Sequence, residues 1–427
     1  MAGSDVTQDL YEDLMWRGMV SESTEGLRDA LAAGPVTTYI GFDPTADSLH
    51  VGSLLTMLGL ARVQRFGHIP IAIVGGGTGM IGDPKPTQER PLLSREDIER
   101  NVAGIRPQLA RVLDFDSKSN PARIVNNADW LASFDLLGFL RDTGKYFTVN
   151  YLLQKEAVSR RLESEEGISF TEFSYPLLQA RDYLELFDRY RCTLQMGGSD
   201  QWGNITAGIE LVRKLRNQKV HGLVWPLMTT AAGTKFGKTE SGTIWLDPAR
   251  TSPFRFYQFW LNTDDRDVIR YLKFFTFMSR EEIDALTAAT AARPERREAQ
   301  RALARAVTSL VHGNDPLQRA ERAAEVLFVD DIRNADIEDV LMVFADAPST
   351  ELALPADGMP LVDMLATVKL VPSKSEAMRL LKSGGVYVNN VRATDERARL
   401  TSADAIGGRL FVLRKGRKEQ HIVKLRG

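Results

Sequence analysis

With 427 residues, 43% of them hydrophobic and 26% charged, the chain has enough apolar material for two or three packed domains. Cys192 is the only cysteine, which excludes an intrachain disulfide and points to a reducing cytoplasm; one cysteine and five scattered histidines leave no zinc cluster. No apolar run reaches membrane-spanning length, and the acidic, polar start is unlike a secretory signal, so a cytoplasmic protein without a membrane partner is expected.

The net charge of −2 hides a division: residues 358–427 carry 14 lysines and arginines against 6 acids, and the rest carries 40 against 50. A small basic tail on an acidic body points to a nucleic-acid module joined to something else.

In chain order, 36–42 is short and rich in β-branched and aromatic residues, as a buried strand should be. Asp43-Pro44 stops it, and Asp47 or Ser48 is placed to cap a helix whose apolar positions run from Leu49 through Leu60. His50 and Ser53 would then share the first helical turn, where backbone N–H groups and the positive end of the helix dipole suit a polyphosphate. Gly52 would admit a ribose or base close to the backbone. Alone, the stretch is equally an ordinary strand–helix unit with a surface histidine.

A second apolar strand, 69–74, precedes Gly77-Thr-Gly79-Met-Ile-Gly82, which matches the dinucleotide pattern G-x-G-x-x-G. That pattern needs a helix directly after it, and Asp83-Pro84 with Lys85-Pro86 blocks one, so a nicotinamide site is rejected. Tyr175, Gln179 and Asp182 follow i, i+4, i+7 spacing, which a helix would present on one face. The stretch 228–243 is too polar and glycine-rich for an element interior. Within it, Lys235-Phe-Gly-Lys238-Thr239 offers two ammonium groups able to swing onto phosphates, although a lone K-x-x-K is more often a solvated basic loop. The runs 264–277, 280–291, 296–312 and 316–327 carry apolar residues at helical spacing, with mixed charges. Residues 346–357 have the composition of a linker. The tail then suggests two short helices followed by a strand, and no internal repeat is present.

In this order, Tyr39 to Ser53 and Lys235 to Thr239 resemble the HIGH and KMSKS signatures of class I aminoacyl-tRNA synthetases, in the form used by bacterial tyrosyl-tRNA synthetases. VGGGTGMIGDP at 74–84, YPLLQARD at 175–182 and QMGGSDQWGNI at 195–205 agree, and the resemblance covers essentially the whole chain. It implies an α/β fold. A Rossmann-like parallel-sheet nucleotide-binding domain would fill 1–250, with an insertion at about 115–195 forming a homodimer interface. A helical domain on the anticodon side of the tRNA (251–345) and an S4-like RNA-binding domain (358–427) would follow.

The implied activity is that of a tyrosine–tRNA ligase, forming tyrosyl-adenylate from L-tyrosine and ATP and then charging tRNA(Tyr). The resemblance assigns Tyr39 and Asp182 to the phenol hydroxyl, Asp83 to the ammonium, and Tyr175, Gln179 and Gln201 to the amino-acid end. Gly41, Asp43, His50, Gly52, Gly198, Asp200 and Lys238 would hold ATP, with Asp200 on ribose hydroxyls. Thr45, His50, Ser53, Lys235, Lys238 and Thr239 would work on the phosphates, with Mg2+ accompanying them and no dedicated metal cage. Lys374, Arg379 and Lys382 would face RNA phosphates.

The chain departs from the family pattern twice. Ser53 stands where the second HIGH histidine is usual, and Lys85-Pro-Thr-Gln-Glu-Arg90 replaces a serine–glycine–lysine run, leaving Lys85 or Arg90 to supply mobile charge. A tryptophanyl-type synthetase is disfavoured by Tyr39 and Asp182. A decayed, RNA-binding relative is disfavoured by intact His50, Lys235, Lys238 and Asp182.

Overall fold

The computed structural model describes residues 9–84, 92–165, 167–234, 236–239, 242–326, 329–345, 347–416 and 419–426; the side chains of Lys238 and Thr239 fall outside the description. The chain forms two compact units, one made of Met1–Thr251 with Phe259–Val311, the other of Ser252–Gln258 with His312–Gly427.

The first unit is built on a six-stranded sheet of β1 (Glu22–Ser23), β2 (Thr37–Phe42), β3 (Ile69–Val74), β4 (Arg123–Asn126), β5 (Cys192–Gly198) and β6 (His221–Trp225), in the order β1-β6-β5-β2-β3-β4. Only β1 runs antiparallel to its neighbour. The two strands expected from apolar runs are thus the inner strands β2 and β3, buried along nearly their whole length, as parallel strands covered on both faces must be. The chain steps outward from β2 to β3 and β4, then returns to lay β5 and β6 on the other side of β2. The carboxyl ends of β2 and β5 therefore flank a topological switch point, where open α/β sheets bind ligands.

Five helices position the site: α1 (Leu10–Arg17), α2 (Val51–Arg65), α3 (Phe170–Tyr190), α4 (Trp202–Arg216) and α5 (Asp265–Phe275). α2 is apolar on most sides and correspondingly buried at Val51, at Leu54 and Leu55, and from Met57 to Val63. Tyr183 and Leu184 of α3, Ala207 and Leu211 of α4, and Tyr39, Ile71 and Cys192 of the sheet share one core cluster.

The expected helices near 280–291, 296–312 and 316–327 are Arg280–Ala292, Glu298–His312 and Asn314–Val326. They do not form a unit of their own: the boundary falls at 311/312, inside the span 251–345 read as one helical domain.

In the second unit a five-stranded sheet has the order Val391–Ala393, Val386–Val388, Leu410–Lys415, Glu419–Leu425, Ser349–Leu352. Helices Leu361–Thr367 and Lys374–Lys382 share a core with it through Met364, Leu365, Ala377, Leu381, Phe411 and Val423. Helix Ile337–Val343 joins a second cluster with Ile406, Val412 and Ile422. The segment expected as a linker contains a strand, Ser349–Leu352, parallel to Glu419–Leu425. Its pairing partner lies some seventy residues downstream, so local composition carries no trace of it.

Arg161 and Glu172, both about fully buried, pair at 2.9 Å between helix Glu156–Leu162 and α3. Arg161→Met should destabilise the protein by about 3–5 kcal/mol in urea unfolding, because the carboxylate would be left buried and uncompensated. A cost below about 1 kcal/mol would show that Glu172 finds another partner.

Candidate active site at the switch point

The first motif segment meets the residues just beyond the second through its backbone. Val51 N–H donates to Ile244 C=O at 3.0 Å, Leu246 N–H donates to Leu49 C=O at 2.9 Å, and His50 pairs with Trp245 in an antiparallel bridge. The His50 and Trp245 rings lie edge to face, 6.0 Å apart. Gly237 sits against the same turn at φ +82°, where an added Cβ would come within 2.7 Å of Val51.

The cap of α2 differs from the expected Asp47 or Ser48. His50 itself is the N-cap, in extended conformation, and its Nδ1 accepts the Gly52 N–H at 3.0 Å. A Cβ at position 52 would stand 2.7 Å from the imidazole, so Gly52 is what makes this cap possible. Ser48 is engaged elsewhere, accepting from Gln108 and from the Asp247 N–H, and Asp47 pairs with Arg250 at 2.8 Å. Because Nδ1 accepts from a backbone donor, the proton of the neutral imidazole resides on Nε2.

Deeper in, Tyr39 of β2 is 1% exposed, its ring edge-on to Tyr183 at 5.2 Å, and its hydroxyl has no hydrogen-bond partner. Burial pushes its pKa well up, and the nearby Asp182 adds to the effect. Asp182, 3% exposed on α3, accepts from Asn127 Nδ2 at 3.0 Å and from Trp130 Nε1 at 2.8 Å. Burial pushes its carboxyl up to about 7 against the pull of those two donors. Asn127 also accepts the Gly77 N–H at 2.7 Å and donates to Thr78 Oγ1 at 2.9 Å, tying the glycine-rich loop to the buried acid. That loop forms only a short 3-10 turn, Thr78–Met80.

A second network surrounds Asp83. Gln201 Nε2 donates to it at 2.9 Å and Asn204 Nδ2 at 3.2 Å, while Gln201 Oε1 accepts from Gln179 Nε2 at 3.3 Å. Tyr175 is buried one turn before Gln179 on α3, so the three spaced residues occupy one helix as expected. Gly41, Thr45, Gly52 and Asp200 face solvent, with Asp43 and Ser53 half-buried beside them. Gly198, at the end of β5, leaves room for the Asp200 carboxylate: a Cβ there would stand 2.5 Å from it. Lys85, Arg90 and Lys235 lie outside the described residues, as do the side chains of Lys238 and Thr239; the backbone of Lys238–Thr239 pairs with Gly242–Thr243.

Sequence reasoning missed Asn127, Trp130 and Asn204. Asn127 and Trp130 follow β4 outside every recognised block, and Asn204 lies within the block at 195–205, three residues after Gln201 on the first turn of α4. In the tail, Lys374, Arg379 and Lys382 are exposed, but each has an acid partner: Asp363 at 2.8 Å, Glu376 at 2.6 Å and Glu396 at 3.5 Å.

A family model described as "tRNA synthetases class I (W and Y)" matches residues 31–329, and one for the "Tyrosine--tRNA ligase SYY-like C-terminal domain" matches residues 339–423. The tyrosine–tRNA ligase of Roseiflexus castenholzii is 55% identical over 420 residues, covering 97% of this chain and 99% of the relative. That of Geobacillus kaustophilus is 52% identical over the same shares. Among solved structures, a C-terminally truncated mitochondrial tyrosyl-tRNA synthetase of Aspergillus nidulans gives a TM-score of 0.68 at 32% identity, covering 75% of this chain and 94% of that one. With both models matching, and relatives of this identity spanning nearly its whole length, the chain belongs to the bacterial class I tyrosyl-tRNA synthetases.

Proposed function

We propose that the chain activates L-tyrosine with ATP to tyrosyl-adenylate and then transfers the tyrosyl group to the 3′-terminal adenosine of tRNA(Tyr). The observation that carries the reading is the buried, partnerless Tyr39 hydroxyl beside the buried Asp182 carboxylate. A phenol both donates and accepts, so it would donate to Asp182 and accept from Tyr39, completing both groups. An indole N–H only donates and would leave Tyr39 unpaired, which favours tyrosine over tryptophan. Phenylalanine would leave the Tyr39 hydroxyl unpaired and set an apolar ring edge against the buried Asp182 carboxylate, whose only donors would then be Asn127 and Trp130.

In this reading Asp83 holds the substrate ammonium, oriented by Gln201 and Asn204, with Tyr175 and Gln179 beside it. The tyrosine carboxylate is ionised at neutral pH and attacks the α-phosphorus without a general base. The P–O bond to the β-phosphate breaks, and pyrophosphate departs with its electrons. Catalysis then rests on alignment and charge neutralisation. His50, donating from Nε2 at the amino end of α2, together with Thr45, Ser53, Lys235, Lys238 and Thr239, supplies the positive and hydrogen-bonding field. Gly41, Asp43, Gly52, Gly198 and Asp200 hold the adenosine. Magnesium arrives with the ATP phosphates. In the second step a ribose hydroxyl oxygen attacks the acyl carbon, the acyl–phosphate bond breaks, and AMP leaves with the proton passing to its phosphate.

The basic tail, through Lys374, Arg379 and Lys382, takes up tRNA phosphates. A second copy of the chain covers the insertion, where Leu136, Leu137, Val149 and Phe170 are each more than half exposed, an unusual concentration of large apolar side chains. The residues read as cytoplasmic; no helix among those described is long and apolar enough to cross a membrane.

ATP–pyrophosphate exchange should be strong with tyrosine and near background with phenylalanine or tryptophan; silence with all three in folded protein would leave an RNA-binding relative. Lys238→Ala should slow adenylate formation far more than it weakens tyrosine binding, and equal losses in both would remove its phosphate role. Tyrosine binding should weaken as pH falls through about 7, because the phenol donates to the ionised form of Asp182, whose free carboxyl titrates there. The limiting slope is about tenfold in Kd per pH unit, read by equilibrium dialysis. The raised pKa stabilises the folded protein only while Asp182 is neutral, so this group does not drive acid unfolding in that window. A flat profile would exclude an ionised acceptor. Leu137→Asp should shift the protein towards monomer in sedimentation, and an unchanged mass would place the dimer contact elsewhere.

A further inference from the structure

The loop that carries Lys238 is held from outside by two side chains of α5. Asp267, 4% exposed, accepts the Ala231 N–H at 2.7 Å, and Arg270 donates to the Thr229 carbonyl at 2.6 Å. The two are themselves paired at 2.7 Å, so one ion pair grips both a donor and an acceptor of the loop backbone. Between them the loop closes a turn, with Thr230 N–H donating to Thr234 C=O at 2.9 Å. Just beyond it Phe236 is buried among Phe259, Trp260, Tyr271 and Phe275, its ring 5.0–5.7 Å from theirs.

The other end of α5 is fastened to the helix that bears His50. Arg62 of α2 donates to the carbonyls of Lys273, Phe274 and Thr276, and Arg17 of α1 to those of Lys273 and Met278. Asp13 holds Arg17 at 2.9 Å. These cations satisfy and neutralise the negative end of α5, while Asp267 lies in its first turn, where an acid is favoured. α5 thus links the loop that carries Lys238 to the helix that begins at His50.

We propose that Asp267 and Arg270 are positioning residues for adenylate formation: they set the loop so that Lys238 meets the triphosphate. The inference rests on the phosphate role given to Lys238 above. The test uses the full-length protein and exchange kinetics with separate measurement of tyrosine Kd. Arg270→Ala, at a side chain 41% exposed, should lower kcat about 10- to 100-fold with tyrosine Kd unchanged, the cost expected of small misplacement at a reacting centre. Arg270→Lys keeps a donor for the Thr229 carbonyl and should recover part of the rate. Lys238→Ala with Arg270→Ala should lose little beyond Lys238→Ala alone, since both act through one group. If Lys238→Ala is damaging and Arg270→Ala is not, the positioning role fails and the phosphate role stands. If Lys238→Ala is itself harmless, the phosphate reading fails first. Parallel losses in kcat, tyrosine binding and thermal midpoint would reduce the pair to a structural contact and overturn the proposal.

Discussion

The meeting of the candidate site's two phosphate-handling segments depends on one short piece of backbone ladder, the seam where residues 49–51 meet 244–246. It joins segments nearly two hundred residues apart, and the entropy of closing so long a loop grows only slowly with its length. The seam is made of main-chain donors and acceptors; the side chains of Leu49, Val51, Ile244 and Leu246 are buried, while His50 and Trp245 between them stay partly exposed. Its tolerance is limited at the two glycines that lie against it. Gly52 makes room for the imidazole that caps α2, and Gly237 makes room for Val51. A helix start is thereby presented together with the loop that carries the lysines.

The buried acid imposes the second constraint. A carboxylate removed from water is costly unless donors meet it, and Asn127 and Trp130 do so before any ligand arrives. Those donors also fix the Asp182 oxygens in place, which turns a solvation requirement into a geometric one. Burial still dominates, so the group sits where a modest change in its surroundings decides its charge. Tyr39 carries the complementary deficit, a hydroxyl with nothing to bond.

What was legible in the sequence was what local physics writes there. β2 and β3 announce themselves as apolar runs because strands buried on both faces have no polar face to show. The spacing of Tyr175, Gln179 and Asp182 is a helix property and survives intact in α3. Motif resemblance carried the family. The cap of α2 was misread because serine and aspartate are the usual caps, and only the tertiary contacts of Ser48 and Asp47 take them away from it. Asn127 and Trp130 were invisible because their meaning comes from a helix some fifty residues further on. Strand Ser349–Leu352 was hidden for the same reason, its identity conferred by a partner near the other end of the tail.

The acid partners of Lys374, Arg379 and Lys382 carry a consequence for how the tail would meet RNA. A lysine free in solution exchanges a chloride for a phosphate and sends a condensed cation from the RNA into bulk. Here a phosphate would compete with a carboxylate already beside each cation, and a displaced carboxylate would recruit a cation of its own. The net release of ions per contact is smaller, so affinity would fall less steeply with salt than a count of basic residues suggests.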